Sequence, residues 1–144
     1  MSCSLDVNVL LFASDRSSAR HEAARRFLEA CAAGPEILCL TWPTLMGYLR
    51  IATHPRIFAE PLGPDEALGN VAALISRPHV RVVSELDGFL DAYRRVTGDM
   101  AVRGNLVPDA HLAAILLQHG VRTLHTHDRD FRRFASLDVR DPFD

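Results

Sequence analysis

The chain has 144 residues, 48% of them hydrophobic and 24% charged, with a formal net charge of −2 and a pI near 6.4. That length and composition fit a single globular domain, residues 1–144, with a real core. The slight negative charge excludes a uniformly basic nucleic-acid binder but leaves room for a local basic groove. All 16 basic residues are arginine, so mechanisms that need a lysine, such as P-loop phosphate binding and Schiff-base chemistry, are excluded.

The longest unbroken apolar stretch near the start, Val9 to Ala13, is far short of a membrane span. No basic segment precedes it and Asp6 interrupts the apolar run, so neither a signal peptide nor a membrane anchor is expected, and a cytoplasmic location is. Cys3, Cys31 and Cys39 form an odd set without CxxC spacing, which reads as reduced thiols.

The elements follow in chain order. Ser4 to Ala13 reads as a buried first strand, and Asp6 and Asn8 share one of its faces if the strand is regular. Ser18 to Ala33 reads as an amphipathic helix. Its inward stripe is Ala23, Ala24, Phe27, Leu28 and Cys31, with Glu22 free to pair with Arg25 or Arg26. Gly34-Pro35 stops it. Ile37 to Thr41 is a short strand, and Trp42 to Thr53 a helix with Pro43 in its first turn. His54-Pro55 ends that helix. Pro64 to Ser76 is a helix with Leu68, Val71, Ala72 and Ile75 inward. Val80 to Ser84 is a strand and Leu86 to Val96 a helix. A loop with Gly104-Asn105 leads to a helix over Val107 to His119. Arg122 to Thr126 is a strand, Asp128 to Phe134 a short helix or turn, and Leu137 to Arg140 an edge strand. Alternating strands and helices imply an α/β sandwich with a mostly parallel central sheet flanked by helices.

In such sheets ligands bind beyond the carboxyl ends of the strands. Asp6 lies in an apolar run where an unpartnered carboxylate costs several kcal/mol. Asp109 follows Pro108 in the first turn of its helix. With Leu112, Ala113 and Leu116 it keeps i, i+3, i+4, i+7 spacing, so it points along the buried stripe. Asp128 directly follows the strand Arg122 to Thr126. Taken singly, Asp109 reads equally well as an acid favoured by a helix dipole and Asp128 as a cap or turn acid. Together, three convergent carboxylates repel one another unless a cation neutralises them. Oxygen-only ligands suit Mg²⁺, with Mn²⁺ as a substitute. That chemistry is phosphodiester hydrolysis by metal-activated water.

The same residues carry a family resemblance. Leu5-Asp6-Val7-Asn8-Val9-Leu10-Leu11 resembles the opening segment of PIN-domain nucleases, specifically VapC-type toxins of bacterial toxin–antitoxin pairs. Gly104 to Ala114, with Pro108-Asp109-Ala110-His111 at its centre, resembles their third acidic motif. Thr126-His127-Asp128-Arg129-Asp130-Phe131 resembles the last. Trp42 to Arg56 is similar to the second helix of one VapC subgroup. The four segments occur in the family's order across essentially the whole chain.

The resemblance implies a PIN-like three-layer sandwich and Mg²⁺-dependent endoribonuclease activity. It further implies a cognate VapB-type antitoxin, RNA as substrate and a homodimer. By position it makes Asp6, Asp109 and Asp128 the metal ligands and catalytic acids, and Thr126 and Asp130 supporting polar groups. Many PIN nucleases carry a glutamate where this chain has Gly47. One well-held Mg²⁺ is therefore expected, with a second arriving only with the RNA phosphate. A non-catalytic or weakly active PIN-domain protein that binds RNA or a partner is the competing reading that Gly47 motivates. A small-molecule phosphohydrolase is a third.

Asn8 is a candidate supporting residue beside Asp6. Arg50, on a stripe with Gly47, Ile51 and His54, is a candidate contact for the scissile phosphate or a site carboxylate, against a plain surface role. Arg56, Arg129, Arg132 and Arg133 are candidate RNA-groove cations. His125, His127 and Asp128 superficially suggest zinc, but Arg129 stands where the extended motif needs an aspartate.

Overall fold

Residues 1–144 are described by a computed structural model. The first strand, β1, spans Ser2–Leu5, and the chain then turns at once into a helix, α1, Val7–Ser14. The expected strand over Ser4 to Ala13 is thus a strand joined to a helix. Asp6 makes the junction as the N-cap of α1, its Oδ1 accepting from the Val7 amide at 2.7 Å. Asp6 and Asn8 do not share a strand face, because Asn8 lies in the first turn of α1. The apolar run carried no period to reveal this. Helix α1 is wedged against its neighbours, and a buried helix is apolar nearly all round.

The remaining elements are α2 (His21–Ala33), β2 (Ile37–Thr41), α3 (Trp42–Ala52), α4 (Pro64–Ile75), β3 (Val80–Val83), α5 (Phe89–Thr97), α6 (Leu106–Gln118), β4 (Thr123–His125), a 3-10 helix (Arg129–Arg133) and β5 (Asp138–Arg140). Two inward stripes differ from expectation. On α2, Ala23 is exposed and Ala32 buried, while Ala24, Phe27, Leu28 and Cys31 do face inward. On α4, Leu68 is 55% exposed and Ala72 is exposed, and the buried residues are Ala67 and Val71. The register is set by packing on the floor of α3 and β3 rather than by the largest side chain. Glu22 pairs with both Arg25 and Arg26.

The five strands form one wholly parallel sheet in the order β3-β2-β1-β4-β5. One core, with Leu5, Val9, Leu38, Leu40, Leu45 and Tyr48, lies between the sheet and α1 to α4. The other, with Ala110, Ala113, Leu116, Leu124, Phe131 and Phe134, lies under α5 and α6. The fold is therefore an α/β sandwich of three layers. Strand order reverses between β1 and β4, and a parallel sheet opens its ligand crevice at such a switch point. The three cysteines are free. No helix is long and apolar enough to cross a membrane.

Candidate metal centre

Asp6 leaves the carboxyl end of β1, and Thr126 to Asp128 leave that of the adjacent β4. The last ladder bond between the strands runs from the Asp6 amide to the His125 carbonyl at 3.0 Å. Beyond it the side chains take over. Thr126 Oγ1 donates to Asp6 Oδ2 at 2.9 Å and accepts from the Asp128 amide at 2.9 Å. Asn8 Nδ2 donates to Asp6 Oδ2 and to Thr126 Oγ1, each at 3.1 Å. Half-buried Asn8 and buried Thr126 therefore act as struts that fix Asp6 and the backbone of Asp128.

Asp128 caps the 3-10 helix, its Oδ1 accepting from the Asp130 amide at 2.9 Å. Asp109 arrives from the opposite layer, in the first turn of α6. Carboxylate oxygens of Asp109, Asp128 and Asp130 lie within 4.8 Å of one another. Asp130, expected as a supporting residue, is thus part of the cluster along with Asp128. Asp6 stands beside this trio rather than within it, with both oxygens already accepting hydrogen bonds.

The electrostatics report crowding. Burial, then the charges of Asp128, Asp6 and Asp130, push the Asp109 carboxyl up to about 7. Burial also raises Asp6, against the hydrogen bonds from Val7 and Thr126 that lower it, and the Asp128 charge adds to the rise. All donors are hard oxygens, so the set fits a hard divalent cation.

The second-helix candidates fare differently. Arg50 is exposed in the last turn of α3, about 12 Å along the axis from the end of that helix nearest the sheet edge. It pairs with no site carboxylate, so the expected contact to the cluster is not made. Its position on a stripe with Gly47 was no guide, because the stripe runs away from the crevice. Gly47 does face the site's supporting helix: a Cβ there would meet Val7 Cγ2 at 3.7 Å. Arg129, Arg132 and Arg133 are exposed beside the cluster, and Arg133 lies 4.0 Å from Asp130.

Sequence reasoning missed one group. His127 Nδ1 lies 2.8 Å from Asp141 Oδ2, and Phe143 packs edge-on against both Phe12 and His127. Only the Asp141-Pro142 turn hinted that the tail folds back.

Thr126→Val tests the strut. It leaves the Asp6 carboxylate and the Asp128 amide each short of a buried partner, so stability should fall by about 2 kcal/mol in urea unfolding. A loss below about 0.5 kcal/mol would mean that Asn8 alone holds Asp6.

A buried carboxylate at a switch point, with acids converging from the facing helix and the adjacent strand, is an arrangement that suits a hard divalent cation. The PIN domain profile matches residues 4–137, and the chain belongs to that family. It is 48% identical over 143 residues to Ribonuclease VapC48 of Mycobacterium tuberculosis, covering 99% of each chain. It is 36% identical over 140 residues to Ribonuclease VapC43 of the same organism, covering 97% of this chain and 95% of that one. Among solved structures, VapBC2 from Rickettsia felis bound to a promoter DNA fragment superposes with a TM-score of 0.71 at 14% identity, over 98% of both chains. Mycobacterium tuberculosis VapC20, described as a sarcin-ricin loop cleaving toxin, gives 0.64 at 20% identity, over 94% of this chain and 98% of that one.

Proposed function

We propose that this PIN-domain protein is a VapC-type, Mg²⁺-dependent endoribonuclease toxin that works in the cytoplasm as one domain, with Mn²⁺ able to replace Mg²⁺. The observation that carries this reading is the convergence of Asp109, Asp128 and Asp130 beside the buried Asp6. The chemistry a cation held here would supply is charge stabilisation of the scissile phosphoryl group and acidification of a water. Asp109, Asp128 and Asp6 would hold the cation, with Asp130 joining them. The chain's own part is positional. Asn8 and Thr126 hold Asp6 and Asp128 in place before substrate arrives, so little reorganisation is needed. Asp109, pushed up to about 7, is ready to lose its proton when positive charge enters.

The partner is a VapB-type antitoxin. Ribonuclease VapC48 and VapC43 resemble the chain along its whole length, and the VapBC2 structure is a toxin–antitoxin assembly of the same fold. A cavity of about 570 Å³ among α1 to α4 supports this assignment, with Leu28, Leu45 and Leu74 in its wall and Arg16, Arg25 and Glu66 among its polar lining. The apolar residues Trp42, Met46, Leu90 and Val107, each more than 40% exposed, support a homodimer.

Purified protein should cut single-stranded RNA in Mg²⁺ or Mn²⁺ and stop when EDTA is added. No cleavage with either metal would return the protein to the non-catalytic reading, and cleavage that survives EDTA would take the metal out of the mechanism.

A further inference from the structure

Beside the carboxylates lies a second constellation that the reaction as described does not use. Asp141, its side chain 8% exposed, sits beneath His127 and accepts from the Phe143 amide at 2.9 Å. The rings of Phe12, His127 and Phe143 meet edge to face, with centroids 5.5 to 6.3 Å apart. The guanidinium of Arg20 lies 5.6 Å from the Phe12 centroid and 5.8 Å from that of Phe143. His127 and Arg20 keep access to solvent.

Tying down a C-terminal tail needs none of the arginine. An exposed Arg held over two rings gives up side-chain freedom in advance, and although its charge acts on nearby Asp141 it makes no ion pair there, which leaves the guanidinium open to an anion. The Asp141 carboxylate is covered by His127 and the tail amide, so the surface presented is cationic and aromatic. Its place matters as much. His127 is the residue between Thr126, which holds Asp6, and Asp128. Any strand laid across the acids must bring phosphates past negative charge, and a cation held on the ring cluster that includes His127 offsets that repulsion. Partly exposed rings offer faces for a base without reading its edges.

We propose that Arg20, His127 and Phe143 form a nucleotide subsite next to the scissile bond, where Arg20 holds a backbone phosphate and the rings stack a base. The proposal rests on the RNA-cleaving reading given above. It assigns substrate-binding roles to residues at the start of α2 and in the C-terminal tail, none of them among the carboxylates.

The test uses the full chain with Arg20→Gln, Phe143→Leu and both together. Leucine keeps most of the packing volume, and Arg20 is at the surface, so thermal melts should stay close to wild type. Binding of a fluorescein-labelled single-stranded RNA is measured by anisotropy with EDTA present, so that no strand is cut. Each change should weaken binding at least about fivefold, and Arg20→Gln should lower the slope of log K against log salt by about 0.7. With Mg²⁺ the loss should appear in KM rather than kcat. Wild-type binding no tighter than that of the double variant overturns the subsite, as does a fall in kcat and melting temperature with binding unchanged. Failure of the wild-type chain to cut RNA with Mg²⁺ is a separate result, and it would sink the nuclease reading instead.

Discussion

Asp109→Asn should abolish RNA cleavage and, without metal, make the protein more stable than wild type at pH 8. The first effect exceeds the roughly 10–100-fold that follows loss of an outer-shell partner of a metal, because Asp109 belongs to the cluster itself. The second follows from charge crowding. The Asp109 carboxyl is pushed up to about 7 by burial and by the charges of Asp128, Asp6 and Asp130, against an unfolded value near 3.9. Between these two values the folded chain binds more protons than the unfolded one, so stability falls as pH rises from about 4 to about 7 and then levels off. Asparagine has no such dependence. The advantage of the variant is therefore absent below about pH 4 and complete above about pH 7. Partial exposure of Asp109 screens the effect, leaving about 1–3 kcal/mol. Mg²⁺ should raise the melting temperature of wild type at pH 8 by binding the folded state, and it should do little for the variant. Urea unfolding at pH 4 and pH 8, with and without Mg²⁺, reads all of these effects. Strong destabilisation of the metal-free variant would instead make Asp109 a structural residue.

The sequence reveals this site unevenly, for physical reasons. Asp109 was legible because Pro108 fixes a helix start and the i, i+3, i+4 spacing fixes a direction. The strand Ile37 to Thr41 and the helix after it were legible because Thr41 and Pro43 punctuate them, and Thr41 does cap the helix. Asp6 was singled out correctly as an anomaly in an apolar run but given the wrong local structure. A helix buried from several sides has no polar face, so nothing marked the turn at Asp6. Asn8 kept its supporting role by a different route: its amide returns to Asp6 from the first turn of a helix. Arg50 makes no contact with a site carboxylate: a helical stripe says which residues share a face, not how far along the axis the crevice lies. Asp130 and the His127–Asp141 pair depend on how a five-residue 3-10 helix and the tail fold back. Such contacts between distant chain positions leave no local period.

Gly47→Glu should tighten Mg²⁺ binding, lowering the half-saturating concentration for RNA cleavage by about tenfold, since cation affinity follows the number of ligand charges. The position admits a side chain. Gly47 lies inside α3, and the nearest atom to an added Cβ is Val7 Cγ2 at 3.7 Å, an ordinary contact. Val7 follows Asp6 directly, so a glutamate here starts beside the N-terminal turn of α1 that Asp6 caps. Two opposing effects act on the metal-free chain. Replacing glycine within a helix contributes roughly 0.5–1 kcal/mol, while a fourth carboxylate adds repulsion that costs a similar amount. Metal-free stability should therefore change by less than about 0.5 kcal/mol. Gly47→Gln separates the two. It keeps the helix gain without the charge, so its melting temperature should rise while its Mg²⁺ requirement stays that of wild type. Titration calorimetry with Mg²⁺ and cleavage rates across a Mg²⁺ series measure both outcomes. If Glu and Gln behave alike, the side chain turns to solvent, and the affinity of this centre is set by Asp6, Asp109, Asp128 and Asp130 alone.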